Sequence, residues 1–269
     1  MSRFRGRQHG GSLVELMVAM TLGLWLAGAA LQLAWRSTQA RQLQNAHAEM
    51  IDNAQLALQL LSRELQLAGY STATGVAASG NTSSLLRALK EVPLLGCEQG
   101  FVSLSANTCA HTSSMALQVV YEADMHNTSP TTAGIPADCL GNAVVPASGV
   151  YVTRHRYFVQ TGSTGRPELH CAAGTNTQPL VDNIEQLQVW FGEALATEPT
   201  RAVRYVSASQ VSDWARVVAA RVCVQVRSAE PVWMNDEVVS YADCSGQMQT
   251  SGRYARQSVS STVVLRNKI

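Results

Sequence analysis

The chain has 269 residues, 46% hydrophobic and only 14% charged. The apolar share excludes a wholly disordered protein, and the charged share lies below the roughly 25% usual in soluble domains, which points to membrane exposure, secretion or packing inside an assembly. The formal net charge of +1 offers no basic field for nucleic acid, even though eighteen of the twenty basic residues are Arg and only Lys90 and Lys268 are Lys.

Residues 1–10 read MSRFRGRQHG, with Arg3, Arg5 and Arg7 and no acid. An apolar stretch follows. From Leu16 to Trp35 there are twenty residues without a charge, and only Thr21 and Gln32 are polar. As a helix this spans about 30 Å, one hydrocarbon core. The basic end predicts a cytoplasmic N-terminus, with the chain beyond Arg36 on the far side. The run is longer than the usual h-region of a cleaved secretory signal, and no small-residue cleavage site ends it. A plain signal anchor leaves Glu15 unexplained, because a carboxylate at the start of a membrane helix is costly unless paired.

The run Gly10-Gly11-Ser12-Leu13-Val14-Glu15-Leu16-Met17-Val18 resembles the prepilin signal of type IV pilins and type II secretion pseudopilins. In that family a basic leader ends in Gly and a glutamate stands fifth in the mature chain. The resemblance implies cleavage by prepilin peptidase between Gly10 and Gly11, N-methylation of Gly11, and an assembly role for Glu15. A cut after Gly11 would leave Glu15 fourth, against the family spacing. The family's usual Phe or Met at the first mature position is Gly here, and the apolar segment lacks the helix-kinking Pro of many major pilins. Physically, the new amine and the Glu15 carboxylate offset each other's burial within one helix or between neighbours, and their meeting fixes axial register. Ala19, Gly23 and Ala27 add small residues at four-residue spacing, which permits close helix approach.

Residues 36–68 continue the helical pattern. Leu43, Ala46, Met50, Ala54, Ala57, Leu61, Leu65 and Ala68 recur near a 3.6 period, with Arg41, Asn45, Asp52, Gln55, Gln59, Arg63 and Gln66 on another face. Leu56, Leu60 and Leu67 form a second apolar stripe. Gly69 is the expected stop. The whole predicts one helix of about 55 residues, near 80 Å.

Residues 70–114, rich in Ser, Thr, Gly and Ala, read as an irregular surface connection. Strand patterns follow at 115–122, 150–159, 184–191, 222–226 and 258–265, separated by turn-rich segments such as 161–165 and 245–246. A helix followed by successive strands predicts an α+β fold of pilin-like kind: a long N-terminal helix, membrane-spanning in its first half, packed on a C-terminal antiparallel sheet domain. The boundaries read as a leader at 1–10, a transmembrane half at 11–35, an amphipathic half at 36–69 and a β-rich domain at 70–269.

Within the pilin-like proteins the chain resembles the PilW family of minor pilins. The segments that carry this are Asn183-Ile184-Glu185-Gln186-Leu187-Gln188-Val189-Trp190-Phe191-Gly192, Asp213-Trp214 leading into Val218-Ala219-Ala220-Arg221-Val222, Val226-Arg227-Ser228, and the ending Val264-Leu265-Arg266-Asn267. The resemblance implies a structural subunit in the bacterial inner membrane, its C-terminal domain in the periplasm, that helps start or cap a type IV pilus. Implied partners are other minor pilins, the major pilin, prepilin peptidase and the inner-membrane assembly machinery. A type II secretion pseudopilin and a signal-anchored periplasmic binding or catalytic domain are the alternatives.

Six cysteines, Cys97, Cys109, Cys139, Cys171, Cys223 and Cys244, stand beyond residue 90 with no C-x-x-C pair. An even, dispersed set in an exported chain reads as disulfides rather than zinc ligands. Of the fifteen possible pairings, the neighbour-by-neighbour one (97–109, 139–171, 223–244) is the working expectation. No enzyme motif, cofactor or metal site emerges. His111, His126, His155 and His170 are scattered, and His170 beside Cys171 is one pair only. Asn235-Asp236-Glu237 reads as a solvated turn, and the Asn-x-Ser patterns at Asn81 and Asn127 as loop composition.

Overall fold

The computed structural model describes residues 12–267 except 80–81, 88, 90, 112–113, 148 and 234–238. Gly10, Gly11, Asn81, Lys90, Asn235-Asp236-Glu237 and Lys268 lie outside the described residues. The chain divides into two compact units, residues 1–45 and 46–269. In the first, helix α1 (Leu13–Leu67) begins, and every described residue from Ser12 to Gln42 is exposed.

In the second unit the same helix buries Met50, Ala54, Ala57, Leu58, Leu61 and Leu65: the stripe that the 3.6 period predicts holds from Met50 on with Leu58 added, while Ala46 is only half-buried. The second stripe divides: Leu60 and Leu67 pack against the core, while Leu56 stays 45% exposed. The helix stops where the sequence places Gly69. Its φ of +76° is the left-handed conformation that glycine adopts without strain, and its N–H turns away to the carbonyl of Val120 at 3.0 Å. From the far end of the chain, Asn267 donates to the free carbonyl of Gln66 at 2.7 Å.

Beyond the helix come strands β1 (Ala73–Ser79), β2 (Thr82–Arg87), β3 (Leu94–Cys97), β4 (Ala116–Glu122), β5 (Val152–Thr161), β6 (Pro167–Ala173) and β7 (Asn176–Asp182). They continue as β8 (Ile184–Leu195), β9 (Glu198–Val206), β10 (Val217–Arg227), β11 (Ser240–Ala242), β12 (Met248–Thr250) and β13 (Arg256–Val264). The expectation of an irregular 70–114 is corrected here. β1 and β2 form an antiparallel hairpin, and β3 joins a sheet. Ala, Ser, Gly and Thr give that hairpin no apolar alternation, and among the described residues it pairs with no other strand.

Strands β3 to β7 form a five-stranded antiparallel meander in chain order. A second sheet runs β13-β10-β8-β9, also antiparallel, and β11 and β12 form a small hairpin. Asn183, at φ +61°, makes the corner between β7 and β8. Asn is among the few L-residues that enter this region at modest cost. One core joins the two sheets and the helix segment from Met50 to Leu65: Leu117, Val119 and Tyr157 from the meander meet Leu187, Val189, Phe191, Val222 and Val224 from the second sheet. This is α+β, a long N-terminal helix followed by and packed on antiparallel sheets.

Candidate functional site

The helix of the first unit is the most unusual surface of the chain. Leu13, Val14, Leu16, Met17, Met20, Leu22, Leu24, Trp25 and Leu26 are all more than half exposed. Water would penalise each by about 1.5–3 kcal/mol relative to burial. The stretch is long and apolar enough to cross a membrane, and none of its most apolar window is buried. Glu15 sits in its first turn. Glu15, Ala19, Gly23 and Ala27 follow one another at four-residue spacing, so the carboxylate heads the face with the smallest side chains. A Cβ built on Gly23 meets nothing within 4 Å. A neighbouring helix can approach most closely on that face, where it would meet the one charge between Ser12 and Trp35.

In the second unit the cysteines form three disulfides, Cys97–Cys109, Cys139–Cys171 and Cys223–Cys244, with Cα separations of 5.3, 6.5 and 5.8 Å. This is the neighbour-by-neighbour arrangement. The first closes the loop between β3 and β4, the second ties the 124–150 region to β6, and the third pins the β11–β12 hairpin to β10.

The histidines stay apart. His155 is buried against Glu64, and His170 lies 3.1 Å from Glu168 with Phe158 stacked on its ring. Cys171, its chain neighbour, is spent in a disulfide. Among the described residues no group of three or more His, Cys, Asp or Glu could hold a metal ion. Asn127 belongs to a turn: it accepts from the Asp124 N–H and donates to the Glu122 carbonyl, both at 2.8 Å.

Several polar groups that the sequence reading passed over lie inside the fold. Glu185 takes two hydrogen bonds from Arg256, at 2.6 and 2.8 Å, and one from Gln225. Glu193 takes Arg204 and the hydroxyl and N–H of Ser212. Arg156, 2% exposed, is held by Gln118 and by loop carbonyls. The signal was present in the run Arg154-His155-Arg156 inside a central-strand pattern. Charged residues there must find partners on both faces of the sheet.

An apolar helix of membrane-crossing length thus leads into antiparallel sheets that pack on its later turns. Residues 156–267 match the family model described as Type IV Pilus-assembly protein W. Among solved structures, a type IV-like pilin from Thermus thermophilus aligns over 81% of this chain and 98% of its own, at 16% identity and a TM-score of 0.38. A comparison with curated proteins gives no match.

Proposed function

We propose that the chain is a minor pilin, a structural subunit that helps initiate or cap a type IV pilus. Prepilin peptidase would cut between Gly10 and Gly11, and Gly11 would carry the N-methyl group. The helix would hold the protein in the bacterial inner membrane as a single pass, with the sheets in the periplasm, before entry into a complex with other minor pilins and the major pilin. The carrying observation is Glu15 at the head of an exposed apolar helix, on its small-residue face. In lipid a lone carboxylate is costly, and a neighbour's N-terminal amine is the partner that offsets it. Three disulfides support an oxidising compartment for the second unit. The PilW match supports a pilus machine over a secretion one.

The test is the N-terminal mass of the membrane-extracted chain from cells with and without prepilin peptidase, alongside pilus counts for Glu15→Ala. The reading expects methylated Gly11 only where the peptidase is present, and few or no fibres with Glu15→Ala. An N-terminus at Met1 or Ser2 in both strains would overturn it. Intact fibres with lost exoprotein secretion on deletion of the chain would reassign it to a type II pseudopilin.

A further inference from the structure

Arg156 lies on β5, the central strand of the meander, on the face opposite the helix. It is 2% exposed. Its guanidinium is held by carbonyl-type oxygens alone: Nε donates to Gln118 Oε1 at 2.8 Å, Nη1 to the Ser103 carbonyl, and Nη2 to the Ala106 carbonyl at 2.7 Å and Asn107 Oδ1 at 3.1 Å. The second N–H of Nη1 meets no acceptor among the described residues. No carboxylate among them pairs with Arg156, whereas neighbouring Arg154 is paired with Glu91. Burial, and to a smaller degree the charge of Arg154, push the Arg156 pKa down to about 10. It stays charged at neutral pH but is poorly compensated. A buried charge without a counterion is costly, and carbonyl dipoles neutralise none of its net charge.

The guanidinium does not face solid core. It lines a cavity of about 220 Å³ beside Phe101, Leu104, Phe158 and Val159, with Ser103 and Ser114 also in the lining. The Phe101 ring lies under the guanidinium, 4.1 Å from centroid to Cζ. One wall is the loop that the Cys97–Cys109 disulfide closes, and the same loop gives Arg156 three of its acceptors. The site therefore has a fixed cation, apolar walls and a covalently bounded lip. Ligand pockets are of this kind, apolar with a few placed polar groups.

We propose that this cavity binds a carboxylate carried on a small apolar body, with Arg156 supplying the countercharge. The carboxylate could come from a free carboxylic acid or from an acidic side chain of a protein partner. Both would place one oxygen on the free Nη1 N–H and rest their carbon atoms on Phe101 and Phe158.

The experiment titrates the full-length chain in neutral detergent with phenylacetate, with its uncharged isostere phenylacetamide, and with the blocked peptide acetyl-Ala-Glu-Ala-amide, by calorimetry. The expected result is saturable binding of phenylacetate at least tenfold tighter than of phenylacetamide. Because Arg156 variants risk unfolding, the matching variant is Ser114→Phe. It fills the mouth from an exposed position and leaves the Arg156 contacts alone; it should lose binding at least tenfold while its melting profile stays near that of the parent chain. Binding of phenylacetate alone assigns the site to free acids, and binding of the peptide as well assigns it to a protein side chain. If neither acid binds, or if the amide binds as well as the acid, or if Ser114→Phe binds as before, the proposal fails and Arg156 only staples its loop.

Discussion

His155 Nδ1 lies 2.9 Å from Glu64 Oε2, a contact that joins the helix to the central strand of the meander across 91 positions of sequence. The tautomer follows from the other ring nitrogen. The Cys139 N–H donates to Nε2 at 3.1 Å, so Nε2 is bare and Nδ1 carries the proton. Tyr121 donates to the other Glu64 oxygen at 3.4 Å and meets the imidazole edge-on at 5.6 Å. His155 and Tyr121 are both 2% exposed or less. Glu64→Ala strands two buried donors and should cost about 1–3 kcal/mol, while Glu64→Gln keeps an acceptor and costs less. Urea midpoints of the two variants against the parent chain measure this. Equal midpoints for Glu64→Ala and the parent would show that the contact contributes nothing.

Acid should loosen the second sheet at identifiable carboxylates. Burial raises the Glu193 pKa, but hydrogen bonds from Arg204 and from the hydroxyl and N–H of Ser212 outweigh it, and the carboxyl ends below its ordinary value. Glu185 behaves likewise: burial raises its pKa, and Arg256 and Gln225 bring it down further. A carboxyl whose folded pKa lies below its unfolded value stabilises the fold above the unfolded pKa. That contribution is lost as pH falls through the folded one. The contribution of these two carboxyls should therefore be level from pH 7 to about 5 and fall below about 4.5. Glu193→Gln should flatten part of that fall, which thermal melts at stepped pH would read.

How much of this was legible in the sequence depends on what each residue had to reveal. The helix was legible to its end, because Met50, Ala54, Ala57, Leu61 and Leu65 repeat at 3.6 and Gly69 marks the stop. β10 was legible from the period-two alternation of Val222, Val224 and Val226, although the folded strand buries Cys223 and Gln225 of its other face as well. β7 and β9 were not. Asn176–Pro179 and most of Glu198–Val206 are exposed parts of edge strands, whose backbone pairing leaves no apolar alternation. The buried polar contacts were illegible for another reason. Nothing local in Glu64 names a partner 91 residues away; only the topology brings β5 under the helix. Of the proposed assembly contact, Glu15 is legible because its cost in an apolar run is a local property.

Each disulfide should stabilise the second unit by an amount set mainly by the loop it closes. Sequence separations of 12, 32 and 21 give roughly 3–4 kcal/mol apiece in the chain-entropy account, the 139–171 bridge most. Paired Cys→Ser variants should rank in that order in chemical denaturation. Loss of Cys97–Cys109 should in addition loosen the loop that Arg156 holds. Hydrogen exchange at residues 100–108 would show it, faster in that variant and unchanged in the other two.

Gly96 shows how the two sheets are spaced. It sits in β3, and a Cβ built on it would come within 2.5 Å of Phe191 Cζ and 2.8 Å of Cε2, so the ring from β8 occupies the place of the missing side chain. Phe191 is fully buried, and Trp214 packs against its ring in a T-shaped contact at 4.8 Å. It has no open space to yield into. Gly96→Ala should therefore cost about 1–3 kcal/mol through overpacking, although the same change in an unobstructed strand stabilises. Phe191→Leu should be destabilising by itself, because it removes buried ring surface. The two changes touch the same atoms, so they should couple: Gly96→Ala should cost much less in the Phe191→Leu background. A double-mutant cycle in urea measures the coupling. If Gly96→Ala costs the same in both backgrounds, the ring is not what excludes a side chain at position 96.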